Sequence, residues 1–328
     1  MNENENTPEE PTEDPIASPN PALEAAAGAN ERMHGEKGVW MQATVLPIAL
    51  IGVYLLVTGV AVNVYGAAAI AGGFNTDAGI FDAPLALLAA AIVLCVAEIF
   101  VFRFLVGRLG KRPVVELEWA PAVRELLMGA IIGVVLISVP MLILWLSGHW
   151  RLDTAGWRSG IGLGIAMGLM ACVWEELLFR GVMFRLFDLA WGPVWAIVMT
   201  TIVFGGLHIM NPGMNGLTVV ALALSGGPLL GAAYLWKRRL WLPIGLHFGW
   251  NAAQGSLWGV AISGTGEQKG LLDGVFVGPE WLTGGTAGLE GSALTAVIAL
   301  VAAALILLYI RNHTSNSHSE TEPGTNLA

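Results

Sequence analysis

The chain has 328 residues, 55% of them hydrophobic and only 12% charged. A soluble domain carries about 25% charged residues, so the composition excludes a soluble globular protein and implies a polytopic integral membrane protein embedded in a lipid bilayer. The net charge of −9 says little about partners, because many of the acids crowd the N-terminal tail, and no nucleic-acid partner is expected.

Residues 1–36 are rich in Glu, Asn and Pro and poor in large apolar side chains. Such a segment cannot bury a core and is expected to be disordered. It also lacks the basic n-region and short apolar core of a cleaved signal peptide. Residues 37–310 form the membrane domain, and 311–328 read as a short polar tail. About eight transmembrane helices follow from apolar runs of about 20 residues each: 41–66, 83–105, 125–147, 160–184, 193–210, 216–236, 240–259 and 291–310. Ser225-Gly226-Gly227-Pro228 is expected to break the sixth, a break tolerated only against protein or a water-filled cavity. Cys95 and Cys172 fall in apolar segments and read as small buried hydrophobes, not a disulfide. Glu98 in the second span is expected to snorkel or to pair with Arg103. Gly129 and Gly133, and Gly160, Gly164 and Gly168, recur four apart, a spacing that lets helices approach closely.

Basic residues alternate between the connections. Lys111 and Arg112, Arg185, and Lys237-Arg238-Arg239 mark one side, whereas 67–82 and 211–215 carry no Lys or Arg. Arg151 and Arg158 weaken the pattern. The positive-inside rule then predicts a multi-pass protein of the cell membrane with both termini cytoplasmic.

Three stretches place polar groups inside the spans. In VWEELLFRG, Glu176 and Arg180 are i, i+4 with the acid N-terminal, the favourable orientation for a pair. Glu175 points about 100° away, given 3.6 residues per turn. An ion pair that only fixes packing accounts for one glutamate and leaves the other unexplained. In FGGLH, Phe204 and His208 share a face; alone, this histidine fits a packing residue as well as a catalytic one. In HFGWN, His247 and Asn251 lie one turn apart, and alone they could form an interhelical hydrogen bond. Together the three stretches supply a carboxylate to take a proton from water, imidazoles to orient that water and donors for a developing oxyanion.

EELLFR resembles the E-E-x-x-x-R motif of the CAAX prenyl protease type II and bacteriocin-processing (CPBP, or abortive-infection) family. FGGLH and HFGWN resemble its F-x-x-x-H and H-x-x-x-N/D motifs, in family order, within about residues 160–260. The resemblance implies an all-α intramembrane glutamate protease fold, typically of eight spans, and an endopeptidase acting on a peptide or membrane-protein substrate. It implies Glu175 as the base that activates water, His208 as its assistant, His247 and Asn251 as the groups that polarise the scissile carbonyl, and Glu176 and Arg180 as holders of the geometry. Bacterial members include scaffolds and bacteriocin-immunity proteins, so a non-proteolytic transporter, scaffold or immunity protein using the same buried charges is the alternative.

No H-E-x-x-H, G-x-G-D or G-x-S-G motif occurs. Zinc held by two histidines and a glutamate remains open as a cofactor, with a metal-free glutamate mechanism preferred over a metalloendopeptidase-like one. Counting from the cytoplasmic ends at ~1.5 Å per residue sets Glu175 about 15 Å deep, His208 about 22 Å and His247 about 10 Å, a spread the fold has to absorb. The topology predicts that cysteines introduced at Thr76 and Thr286 react with membrane-impermeant reagents added outside. Labelling only after the inner face is opened would invert it.

Overall fold

The structure, a computed structural model, describes residues 84–109, 112–157 and 159–319, with residues 45, 48 and 52. The expected N-terminal tail, nearly all of the first span and residues 320–328 lie outside the described residues. The described chain is a helical bundle with α1 (Pro84–Leu109), α2 (Ala122–Leu146), α3 (Ser159–Leu178), α4 (Arg185–Trp191), α5 (Pro193–His208), α6 (Gly216–Lys237), α7 (Trp241–Ala252), a short α8 (Glu280–Thr283) and α9 (Ala293–Ser319). Two π-helical segments, Phe179–Phe184 and Ala253–Leu257, continue α3 into α4 and extend α7.

Five stretches are long and apolar enough to cross a membrane: Leu88–Arg108, Ala122–Leu146, Gly160–Trp191, Gly216–Lys237 and Ala293–His313. Large apolar side chains such as Phe100, Phe104, Leu127, Ile131, Val297 and Leu305 lie exposed on them, as lipid-facing positions require. The fifth and seventh expected spans become α5, of 16 residues, and α7, of 12, shorter than the ~20 residues a crossing needs.

Four expectations change. The sixth span is not broken: α6 runs unbroken through Pro228. Proline there removes one backbone donor, but neighbours occupy the polar groups around it. Ser225 Oγ donates to Leu222 O at 2.9 Å, and Arg180 donates to Gly226 O and Gly227 O at 3.3 Å. Secondly, the fold is mostly helical, as expected, but two connections that read as loops pair into a small sheet. Strand β1 (Trp150–Ala155) pairs antiparallel with β2 (Leu272–Phe276), Trp150 opposite Phe276 and Ala155 opposite Leu272, with an irregularity between Leu152 and Thr154. Pairing satisfies backbone groups that two irregular loops would leave unpaired, and Trp150 anchors the sheet by packing edge-on against Trp145 and Trp258. Thirdly, Glu98 does not pair with Arg103. Arg103 donates to Leu117 O at 2.6 Å and lies over the Trp119 ring, while both Glu98 carboxyl oxygens are buried without a partner. Fourthly, the last helix runs on to Ser319, past the expected start of the polar tail. Cys95 and Cys172 are buried and free, as expected.

Glycines set the helix spacing. On α2 and α7, Gly129 and Gly133 face Leu242 and Leu246, while Gly245 and Gly249 face Leu126 and Ala130; a Cβ at any of the four would fall on the facing backbone. On α3, Gly160, Gly164 and Gly168 meet Lys269, Ser256 and Ala252 in the same manner. Gly227 of α6 admits Thr201 of α5. These crossings bring α7 against α2 and α3, and α5 against α6.

The basic end of the bundle is closed by ion pairs. Arg238 binds Asp188, and Arg239 binds Glu125. Glu116 sits between Arg112 (2.7 Å) and Arg185 (3.2 Å). Burial alone would push the Glu116 carboxyl up, but the two guanidiniums outweigh it and hold it below the usual carboxylate range. The Glu116 backbone carbonyl accepts from Leu240 N–H at 2.8 Å, and Trp241 Nε1 donates to Glu118 O at 2.6 Å. The start of α7 is thus pinned beneath the 115–118 turn, inside the bundle.

Glu116→Gln is expected to lower stability by about 3–5 kcal/mol at neutral pH, because two buried guanidiniums lose their carboxylate. Because the folded pKa is depressed, this stabilisation is complete above the ordinary carboxylate pKa and is lost as pH falls through the folded value. Thermal unfolding of both proteins in detergent should show the gap closing at the acid end, and a gap independent of pH would discount the pairing. Gly249→Val should cost at least about 1–3 kcal/mol by overpacking, whereas Gly107→Ala, whose Cβ meets no atom within 4 Å, should be silent in the same assay.

Candidate active site

The buried polar cluster assembles from α3, its π-helical continuation and α5, α6 and α7. Glu175 and Glu176 lie near the end of α3, Glu175 being 16 residues from both Ser159 and Trp191, so the pair sits midway along a helical column of about 48 Å at 1.5 Å per residue. Arg180 falls in the π-helical turn. Such turns widen a helix locally and are frequent at functional sites.

Glu176 Oε1 accepts two hydrogen bonds, from Arg180 Nη1 at 2.9 Å and from His247 Nδ1 at 2.9 Å. Glu176 and Arg180 are wholly buried. The Arg180 guanidinium also reaches the carbonyls of α6 and stands 5.9 Å and 5.8 Å from the Phe179 and Phe204 ring centres. The expected pairing of Glu176 with Arg180 is therefore present. Sequence spacing did not indicate that the same carboxylate would hold His247.

That second bond settles the imidazole's orientation. An ionised carboxylate can only accept, so Nδ1 carries a proton and Nε2 faces away from Glu176. His247 Nε2 lies 3.9 Å from Glu175 Oε2, too far for a direct hydrogen bond. Glu175 Oε2 is buried with no partner. His208 is held similarly: its Nδ1 bonds Phe204 O at 2.7 Å, which makes Nδ1 the donor and leaves Nε2 free. Its ring packs 4.5 Å from the Phe204 ring, and it lies within electrostatic reach of Glu175.

Asn251 is buried, and no hydrogen bond to its side chain exists among the described residues. It shares a cavity wall with His247, Trp250, Leu246 and Phe204. Neither Glu175 nor His208 lies on that wall; His247 lies on it and approaches Glu175 to 3.9 Å. All six residues singled out by the motifs thus belong to one neighbourhood, although counting from the helix ends scattered them in depth. The spread disappears because α3 continues through the π-turn to Trp191 and because α7 begins inside the bundle.

Sequence reasoning missed three polar cavity residues: Ser225, Ser263 and Glu290. Ser263 and Glu290 lie in what read as a loop, and no spacing pattern marks them. It also missed the Phe179 and Phe204 rings that flank Arg180. Zinc does not fit the donor set: among the described residues no three His, Cys, Asp or Glu side chains are grouped as a metal ion would need, and the Nδ1 nitrogens of both histidines are occupied. The metalloendopeptidase-like expectation is unsupported.

A family model described as type II CAAX prenyl endopeptidase Rce1-like matches residues 156–253. The match spans less than a third of the 328 residues but contains Glu175, Glu176, Arg180, His208, His247 and Asn251. It supports the resemblance carried by the three motifs and, at family level, a protease-type enzyme. No curated protein and no solved structure matches the chain.

The two glutamates should separate by stability. Glu176→Gln leaves Arg180 without its buried counter-charge and is expected to cost about 3–5 kcal/mol. Glu175→Gln removes no hydrogen bond to Oε2 and should unfold close to wild type. Melting of the purified variants in one detergent tests the division, and equal losses would refute it.

Proposed function

We propose that this chain is an intramembrane endopeptidase similar in mechanism to type II CAAX prenyl proteases, hydrolysing a peptide bond of a peptide or membrane-protein substrate with a water activated by Glu175. The observation that carries the reading is the Glu175 carboxylate. One of its oxygens is buried and unpartnered beside an imidazole whose other nitrogen is fixed by Glu176. A carboxylate with no internal partner in an apolar bundle is costly. As a general base it has a task that uses its free lone pairs.

In this mechanism Glu175 takes a proton from water while the free Nε2 of His208 accepts the other water hydrogen as a bond and orients the nucleophile. The water oxygen bonds to the carbonyl carbon. The developing oxyanion receives hydrogen bonds from the Asn251 amide and from Nε2–H of protonated His247, whose cation is balanced by Glu176 on the opposite nitrogen. Glu175 then gives its proton to the leaving nitrogen as the C–N bond breaks, so atoms and protons balance. Arg180 touches no substrate; it keeps Glu176, and through it His247, in place. In this reading the polypeptide sits in the cell membrane with both termini cytoplasmic, which the alternation of basic connections supports.

The test is cleavage of a peptide library by purified protein, with products identified by mass. Glu175→Gln is expected to abolish cleavage in a folded protein, and wild-type turnover by this variant would overturn the assignment. Asn251→Ala is expected to lower kcat by ~10²–10³, the usual effect of losing one oxyanion donor, with little change in KM because the bond strengthens mainly in the transition state. A variant that melts earlier yet turns over normally would instead make Asn251 a packing residue.

A further inference from the structure

The cavity bounded by His247 and Asn251 contains an acidic group that the proposed hydrolysis does not use. Glu290 lies in the turn Leu289–Gly291 immediately before α9 and is 6% exposed. It is held on two sides. Its backbone carbonyl accepts from Ser225 Oγ at 3.3 Å, and its Oε1 accepts from the Ser263 amide. Both serines line the same cavity.

Glu290 has no cationic partner among the described residues, and its Oε2 has no hydrogen bond. The contrast with other buried acids is direct: Glu116, Glu125 and Glu176 are each met by an arginine. Phe204, Leu246 and Trp250 make the surrounding wall apolar. A buried carboxylate in such a setting is stabilised by a charge partner. The cavity is partly open, and a cationic side chain entering it would supply that partner.

We propose that Glu290 is a specificity-determining residue that receives an ammonium or guanidinium group, a lysine or arginine side chain near the bond cleaved between Glu175 and Asn251. The proposal rests on the endopeptidase reading of the same site. Glu290 selects by attraction and also by exclusion, since a substrate carboxylate placed there meets a like charge in a low-dielectric pocket.

The test uses the full chain in detergent micelles and apolar peptides differing only by Lys, norleucine or Glu at each position flanking the cleaved bond. At one position, wild type should favour Lys over norleucine by at least ~10-fold in kcat/KM, as expected for a close buried charge pair. In Glu290→Gln, which keeps an acceptor for the Ser263 amide, that ratio should fall to about one. In Glu290→Lys it should invert in favour of the Glu peptide. Absence of a Lys preference in wild type, or its persistence in both folded variants, overturns the proposal. Fluorescence anisotropy of the same labelled peptides on Glu175→Gln measures the preference without turnover. Binding selectivity that depends on Glu290, with no cleavage of any peptide by wild type, would support the cation site and overturn the hydrolase reading. Cleavage that depends on Glu175 but is indifferent to charge would sink the Glu290 proposal alone.

Discussion

One carboxylate oxygen, Glu176 Oε1, accepts at 2.9 Å from both Arg180 and His247. Through it a charge on α3 joins a guanidinium in the following π-turn to an imidazole on α7. Arg180 continues the connection into α6 through Gly226 O and Gly227 O. In hydrocarbon no water can replace a missing partner, so each of these groups depends on the others. The tautomer of His247, the direction of its Nε2 and the isolation of Glu175 all follow from that shared acceptor.

The cluster can form only because the helices come close. Glycines at Gly133 and Gly249 bring α2 and α7 backbone to backbone, Gly164 and Gly168 do the same for α3 and the α7 column, and Gly227 admits Thr201. These contacts decide which residues meet, since a Cβ in their place would push the helices apart before any side chain could reach across. The π-turn then places Arg180 so that Phe179 and Phe204 flank its guanidinium while its charge stays on Glu176. Packing sets the distances, and arginines meet Glu116, Glu125 and Glu176, whereas among the described residues none pairs with Glu98, Glu175 or Glu290.

Those exceptions are informative in different ways. Glu98 is buried with both oxygens unpartnered and is not among the residues lining the cavity of His247 and Asn251. Glu175 stands beside a fixed imidazole, and Glu290 lines the same cavity as Asn251. A bundle that spends arginines on Glu116, Glu125 and Glu176 and leaves these two carboxylates free at the site separates groups that hold the fold from groups available to a ligand.

Much of the site could be read along the chain, because one helix turn fixes what i and i+4 can share. Glu176 with Arg180, Phe204 with His208 and the common face of His247 and Asn251 all follow from 3.6 residues per turn, and apolar runs of membrane length follow from the thickness of the hydrocarbon core. Contacts across the bundle were beyond that reach. Periodicity within a helix carries no information about which turn of α7 faces which turn of α3, so His247 on Glu176, the continuity of α6 at Pro228, the pairing of Trp150 with Phe276 and the failure of Glu98 to meet Arg103 were decided by tertiary packing alone. Glu290 is the clearest instance: in sequence it is one more acid in a glycine-rich connection, and only the return of that connection over α6, held by Ser225 and Ser263, turns it toward the cavity.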